Sequence, residues 1–165
     1  MSMSANALFI ENVKVVTGLA PILPSSSTPD YVSLKGHHKF TAIIVVDNAA
    51  TVTGSAITLK QATDVAATAE KALAFATMHA NIDTAASDTL VLTTVTSDTF
   101  TTTTVDNKNA IYVVEVEASD LDINGGFDCV RVGTGNATAA VLSVTYILWP
   151  AKYGAGAASP TALTD

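Results

Sequence analysis

Apolar and polar residues alternate with a period of two along most of residues 31–149. Successive side chains of a β-strand point to opposite faces, so this alternation predicts strands and not helices. In residues 139–149 it gives the most regular face of large apolar side chains: Leu142, Val144, Tyr146 and Leu148. The pattern predicts strands at residues 31–34, 39–47, 56–61, 89–96, 99–105, 110–118, 127–132 and 139–149.

The segment at residues 39–47 differs from the others because both of its alternating sets are largely apolar. Such a run is typical of a central strand that is covered on both sides. In residues 110–118, by contrast, Glu115 and Glu117 alternate with Val114 and Val116, so one face of that strand is expected to meet water.

Turn-forming residues separate the predicted strands at intervals of about ten residues. They lie at Gly36 and at residues 97–98, 106–109, 124–125 and 133–136. Long crossover helices, which a parallel sheet would need, are not indicated. The sequence therefore predicts a mainly β fold, an antiparallel β-sandwich or barrel with extended N- and C-terminal segments.

Residues 64–79 are ambiguous between helix and strand. Their many alanines can be drawn as a helical stripe with Val65 and Leu73, and alanine favours helix. Within residues 71–78, however, small alanines alternate with the larger Leu73 and Phe75. We favour strand, turn, strand for this segment and keep the helix as the alternative.

The predicted β domain spans residues 31–150. Residues 1–30 are expected to form an N-terminal arm and loop, because Pro21, Pro24 and Pro29 fix the backbone and remove donors. The apolar piece that precedes them, residues 8–16, suits an arm or a core strand. Residues 151–165 are rich in Ala and Gly and are expected to form an extended C-terminal tail.

Composition narrows the class of function. Of the 165 residues 48% are hydrophobic and only 14% are charged, so much of the surface must be Thr, Ser, Ala and Asn. The formal net charge of -7 argues against direct binding to nucleic acid. No apolar run approaches the ~20 residues of a membrane-spanning helix. The first residues have no signal-peptide pattern, so we expect folding in a cytoplasm.

The best candidate metal site is the D-x-D-x-N-G pattern at residues 120–125, which copies the start of a calcium loop and is followed by Asp128. The twelfth position is Arg131, a cation where the bidentate carboxylate belongs, so an acidic turn is the preferred interpretation. His37 and His38 are adjacent and should point to opposite faces of a strand, and His79 is distant in sequence. We predict no metal ligands and no cofactor.

No pattern of an enzyme emerges. There is no Gly-x-Ser-x-Gly elbow, and Gly133 and Gly135 fit a hairpin turn better than a phosphate loop. Cys129, the single cysteine, lies in an apolar run and is expected to be buried and inert. Trp149 could anchor an interface, although a ring that closes the end of the core is the preferred interpretation. We predict no catalytic residues.

Several short segments follow one another along the chain: ENVKVV (11–16), DYVSLK (30–35), ITLKQATD (57–64), KALAF (71–75), IYVVEV (111–116), DLD (120–122), GFDCVRV (126–132) and SVTYIL (143–148). Their order resembles that of small proteins encoded among the head genes of tailed bacteriophages and prophages. The resemblance covers most of residues 8–150, and none of its segments is a catalytic signature.

This resemblance implies a virion structural protein, in its leading version a head decoration protein that stabilises contacts between capsid subunits. The expected partners are the major capsid protein or other virion proteins and further copies of the chain, in trimers or other homo-oligomers. The expected locations are the outer capsid surface and, during assembly, the host cytoplasm. A tail, neck or baseplate component is the alternative. A receptor or glycan-binding module and an enzyme rank below it.

Overall fold

Two antiparallel sheets pack as a sandwich in the computed structural model, which describes residues 9–151. In chain order the strands are β1 (Lys14–Ile22), β2 (Val32–Ser33), β3 (His37–Asn48), β4 (Ala56–Ala62), β5 (Lys71–Leu73), β6 (Thr77–Asn81), β7 (Val91–Thr94), β8 (Thr99–Thr101), β9 (Asn109–Glu117), β10 (Cys129–Thr134) and β11 (Ala140–Ala151). The helical parts of the described chain are single turns: α1 (Phe9–Asn12) and the 3₁₀ turns Pro24–Ser26, Ala118–Asp120 and Ile123–Gly125.

The larger sheet has six strands in the order β1, β11, β3, β9, β6, β7. The smaller sheet has the order β2, β10, β4, β5, and β8 also pairs with β4. β5 pairs with the second half of β4, opposite Leu59, and β8 pairs with the first half, opposite Ile57. The predicted mainly β fold is confirmed, and of the two architectures left open by the sequence the sandwich is the one observed.

One continuous core fills the space between the sheets. β9, residues 40–46 of β3 and residues 140–148 of β11 contribute their even-numbered side chains, as the alternating patterns predict, and the smaller sheet contributes side chains from β2, β4, β5 and β10. The largest of the fully buried side chains are Val32, Phe40, Ile44, Val46, Ile57, Leu59, Tyr112, Val114, Val130, Leu142, Tyr146 and Leu148. Burial of this apolar surface is the main favourable contribution to folding.

β3 is central in its pairing, because β11 lies on one side and β9 on the other. The prediction that it is covered on both faces is wrong. Its even-numbered side chains from residue 40 to residue 48 are buried, whereas Ile43 is only partly buried and Val45 is exposed. The apolar residues of the second face therefore form surface, and the sandwich has two layers and not three.

Residues 64–79 contain two strands and no helix, which confirms the preferred strand, turn, strand interpretation. The two strands do not form a hairpin, because β5 belongs to the smaller sheet and β6 to the larger one. The next pair behaves alike: β7 pairs with β6, and β8 pairs with β4. The chain thus crosses between the layers at each of these turns.

The N-terminal segment differs from the expected arm and loop, because β1 pairs with β11 over residues 14–22. The strand continues past Gly18 and Pro21, where a loop was predicted. A proline is tolerated here because β1 is an edge strand, and the register shifts near Leu19 absorb the irregularity. The rest of the predicted arm and tail, residues 1–8 and 152–165, lies outside the described residues.

Candidate interaction surface

We use the name outer face for the side of the larger sheet that points away from the smaller sheet. It carries the odd-numbered side chains of β9, of residues 39–47 in β3 and of residues 141–149 in β11, whose even-numbered neighbours are buried. Val15 of β1 belongs to it, because Val15 pairs with Ile147. His79 of β6 belongs to it through its pairing with Val113.

The centre of the outer face is apolar. Val15, Val45 and Val141 are 45%, 41% and 41% exposed, and further aliphatic side chains between them are half-buried. The strand register places Ile43 beside Val113 and Val45 beside Ile111, whereas Ile147 lies opposite Thr41 and Val141 opposite Asp47. We call this set the apolar centre: Val15, Ile43, Val45, Ile111, Val113, Val141 and Ile147. Only hydroxyl-bearing Ser143 and Thr145 interrupt it on β11.

One end of the outer face is polar and held by side-chain bonds. The Trp149 indole Nε1 donates to Thr41 Oγ1 at 2.9 Å, and the Thr41 hydroxyl donates to Glu115 Oε1 at 3.0 Å. Lys39 Nζ lies 5.4 Å from the centroid of the Trp149 ring and 3.8 Å from Glu117 Oε1. These five residues form what we call the polar end, where both signs of charge and one indole ring are fixed in place.

The position of Trp149 corrects the prediction that its ring closes the end of the core. Leu148 points inward, so its neighbour Trp149 must point outward, onto the outer face. The ring is half-buried there, against Thr41 and Lys39. The parity of Trp149 relative to Leu148 was visible in the sequence and would have given the correct side.

The calcium-loop pattern at residues 120–125 is used for local capping. Asp120 Oδ2 accepts a hydrogen bond from the Glu117 N–H at 2.8 Å, and Asp122 Oδ1 accepts one from the Gly125 N–H at 3.0 Å. Lys71 is bound to the other oxygen of Asp122, and this contact is the main reason why the pKa of Asp122 is lowered. The predicted acidic turn is therefore confirmed at these residues.

The histidines and the cysteine lie apart from one another. His37 is buried and His38 is exposed, so they point to opposite faces as predicted, and His79 is exposed on β6. Cys129 is buried, and burial together with the bond from its thiol to Asp128 raises the pKa of Cys129 to about 12. In residues 9–151 no three His, Cys, Asp or Glu side chains come together as a possible metal site.

The glycines at residues 133 and 135 do not form a hairpin, because β10 and β11 belong to different sheets. The backbone of Gly135 is bonded on both sides: its N–H donates to the Ala56 carbonyl at 2.7 Å, and its carbonyl accepts from Ser55 Oγ at 2.7 Å. These bonds hold a crossover between the sheets. No backbone donor of Gly135 is left to bind an anion.

Sequence analysis missed an ionic cluster on the smaller sheet. Glu70 Oε2 accepts bonds from Arg131 Nη2 at 2.7 Å and from the Tyr31 hydroxyl at 2.8 Å, and Lys60 lies 3.6 Å from Glu70 Oε1. Burial alone would raise the pKa of Glu70, but the bonds from Arg131 and Tyr31 lower it on balance. Arg131, the residue that departs from the calcium-loop pattern, thus bonds the connection between β4 and β5 to β10. No local pattern joins residues this far apart.

A cavity of about 270 Å³ lies beside the turns at residues 118–128. Its walls are mainly apolar and include Leu34, Leu121, Ile123 and Phe127. The two ionisable residues of its lining, Lys35 and Asp128, are paired with each other at 3.2 Å. This arrangement offers shape and apolar contact but no pair of unengaged acid and base groups.

Comparisons with known proteins give a structural likeness but no family. No family model matches the sequence, and a search of the curated proteins finds no match. Among solved structures, the chain is similar to the SPBc2 prophage-derived protein YomS. The identity is 14%, the match covers 83% of this chain and 92% of that chain, and the TM-score is 0.46. A likeness of this size carries no functional argument. Within residues 9–151 no helix is long and apolar enough to cross a membrane.

Proposed function

We propose that the protein is a structural component of a bacteriophage particle, and specifically a head decoration protein that binds the outer capsid surface. In this role its outer face contacts capsid subunits and stabilises the contacts between them. The observation that carries the proposal is the apolar centre, a set of exposed and half-buried aliphatic side chains on the outer face of the six-stranded sheet.

The composition of the outer face suits a protein partner. Contiguous exposed apolar surface rimmed by polar residues is typical of interaction sites. Burial of the aliphatic side chains of Val15, Val45 and Val141 would contribute about 25 cal/mol for each Å² removed from water. The hydroxyls of Ser143 and Thr145 are less costly to bury than charges would be. Contact with the capsid through this face would therefore cost less free energy of desolvation than contact through the charged parts of the surface.

The polar end supplies orientation to this contact. Trp149 is a large amphipathic ring, of the kind that frequently dominates binding energy at an interface. Lys39, Glu115 and Glu117 around it are held by bonds within the chain, so they lose little freedom when a partner docks. An apolar centre with a fixed polar end defines one orientation on a flat partner.

The phage setting of the proposal rests on the order of the sequence segments described above. The net charge of -7 is consistent with a position on the outside of the shell, away from the packaged genome. Attachment to the head, the host cytoplasm as the site of folding and the absence of catalysis are parts of the same proposal.

The test measures co-sedimentation of the purified chain with expanded capsids of the phage that encodes it, and with isolated capsid protein. We expect strong binding to expanded capsids and weak binding to the isolated subunit. Val45→Lys should weaken capsid binding by at least about tenfold, because it places a charge in the apolar centre. Ile123→Lys is the matched control: it changes another exposed aliphatic residue, in a turn that Asp122 bonds to Gln61 of the smaller sheet, and should leave binding unchanged.

Equal affinity for capsids and isolated subunits, or equal effects of the two variants, would contradict the proposal. Immunogold labelling of intact particles measures where the protein lies in the particle. Labels over the head support decoration, whereas labels over the tail, neck or baseplate would replace it with the alternative structural role.

A further inference from the structure

The strand edges of the sandwich are unequally protected. An unpaired edge exposes backbone donors and acceptors that can pair with another chain, and proteins usually blunt such edges. β1 carries Pro21 and two register shifts, β2 has two residues, and β5 and β8 have three residues each. β7 is the remaining edge of the described sheets.

β7 is four residues long and lacks the proline and the register shifts of β1. Its register with β6 runs without a shift from Val91 to Thr94, and it contains no proline. No ionisable side chain occurs between Asp88 and Asp98. A regular, uncharged edge of this kind is the type that accepts a further strand.

Apolar side chains are exposed on both sides of β7. Leu90, Val91 and Leu92 are 44%, 58% and 61% exposed. Val91 pairs with the buried Ala80, so it lies on the core side of the larger sheet, and Leu92 pairs with His79 on the outer face. Val91 is exposed although it faces the core side, so no neighbouring strand covers the core at this edge.

We propose that β7 pairs antiparallel with β7 of a second copy of the chain, so that the two larger sheets become one continuous sheet across a two-fold axis. The pairing satisfies the backbone groups of both edges and, with the axis at Val91, brings Val91 opposite Val91 and Leu90 opposite Leu92 of the other copy. A two-fold contact of this kind is self-complementary and closes, so it gives a dimer and not a filament.

Charge allows a second copy as the occupant of this edge. Each chain carries a net charge of -7, so two copies repel and can meet only where few charges face each other. When a segment pairs antiparallel with the same segment of a second copy, each residue lies opposite the same residue of that copy or one close to it in sequence. An ionisable residue in β7 would therefore face its own kind, and the stretch from Thr89 to Ser97 has none.

The experiment is sedimentation equilibrium of the full chain over a wide range of micromolar concentrations. We expect a monomer–dimer equilibrium, and Val91→Lys should raise its dissociation constant at least tenfold. Val45→Lys, with the same charge change on the outer face, should leave it unchanged. An added lysine makes the net charge of each copy less negative, so loss of the dimer in Val91→Lys cannot arise from greater overall repulsion. Circular dichroism and thermal unfolding check that both variants are folded.

Amide hydrogen exchange of the unmodified chain is the second measurement. The amides of Val91–Thr94 should exchange more slowly as protein concentration rises, while those of β1 should not respond. A monomer at all concentrations, a dimer insensitive to Val91→Lys, or exchange independent of concentration would overturn the inference. Slow exchange in the presence of capsids alone would also overturn it, because the occupant would then be capsid protein. The inference does not depend on the proposed capsid role, which Val45→Lys tests separately.

Discussion

Two buried tyrosines use their hydroxyls to complete the hydrogen bonding of the sandwich. The Tyr146 hydroxyl, on β11, accepts a bond from the Val132 N–H of β10 at 3.1 Å and so links the two sheets. The Tyr112 hydroxyl accepts one from the Thr103 N–H at 2.6 Å. The Tyr146 ring also requires a glycine at position 18, since a Cβ there would lie 2.3 Å from Tyr146 Cζ. One side chain thus fixes the position of β1 and the spacing of the layers.

Tyr146→Phe should lower the free energy of unfolding by about 1–3 kcal/mol, because it leaves the buried Val132 N–H without this partner. Tyr112→Phe is the matched comparison and should cost less, since its partner Thr103 is only half-buried and water can replace the hydroxyl. Urea unfolding of both variants measures the difference. A larger loss for Tyr112→Phe would show that Tyr146 does not have this linking role.

At the scale of elements, the alternating pattern was sufficient to locate the long strands. β3, β9 and β11 lie within a few residues of their predicted positions, and the buried sides are those that carry Phe40, Tyr112 and Tyr146. Alternation locates these strands because each of them buries one full face. A buried face of a strand requires an apolar residue at every second position.

Pairing partners could not be predicted in the same way. The turns before β6 and after β7 resemble hairpin turns, yet each joins strands of different sheets. Alternation records which side of a strand is apolar, but it holds no information on which other strand lies beside it. The outer face was missed for a related reason: Ile43 and Val45 have the composition of a buried face, and only the absence of a third layer exposes them.

The connection between β4 and β5 offers a test of local backbone strain. Ala69 has a φ of 56° and is exposed, whereas Ala66, in the same connection, is exposed and is not among the positive-φ residues. Ala69→Gly should stabilise the fold by about 0.5–1 kcal/mol, because glycine adopts positive φ without a steric penalty. Ala66→Gly should destabilise it by a similar amount, since there glycine only adds freedom to the unfolded chain.

Thermal unfolding of the two alanine variants measures this contrast. The same substitution, three residues apart and without loss of any large side chain, is expected to have opposite signs. If both variants lower the midpoint equally, the left-handed conformation at Ala69 stores no strain that glycine can relieve.

At the scale of the whole molecule, several carboxylates hold loops that connect strands, both within a sheet and between the two sheets. The Val52 N–H bond to Asp106 and the Thr68 N–H bond to Asp64 lower the pKa of each carboxyl. Lys108 does the same for the pKa of Asp83, and Lys71 for that of Asp122. Each aspartate lies in a connection and not in a strand, so the negative charges contribute to the positions of the loops while the strands supply the core.

These lowered pKa values determine how stability responds to acid. A carboxyl whose pKa is lower in the folded state binds fewer protons there than in the unfolded chain, so its contribution is complete above the unfolded pKa, at about pH 4. The contribution is lost as pH falls through the folded pKa. We therefore expect a thermal midpoint that is steady from neutral pH to about pH 5 and that falls steeply below about pH 4.

Asp106→Asn, which keeps an oxygen to accept from Val52 but cannot ionise, should make the fall of the midpoint shallower. A midpoint that rises on acidification below pH 4 would mean that repulsion among the acidic groups, and not their bonds to the loops, controls the stability of the sandwich.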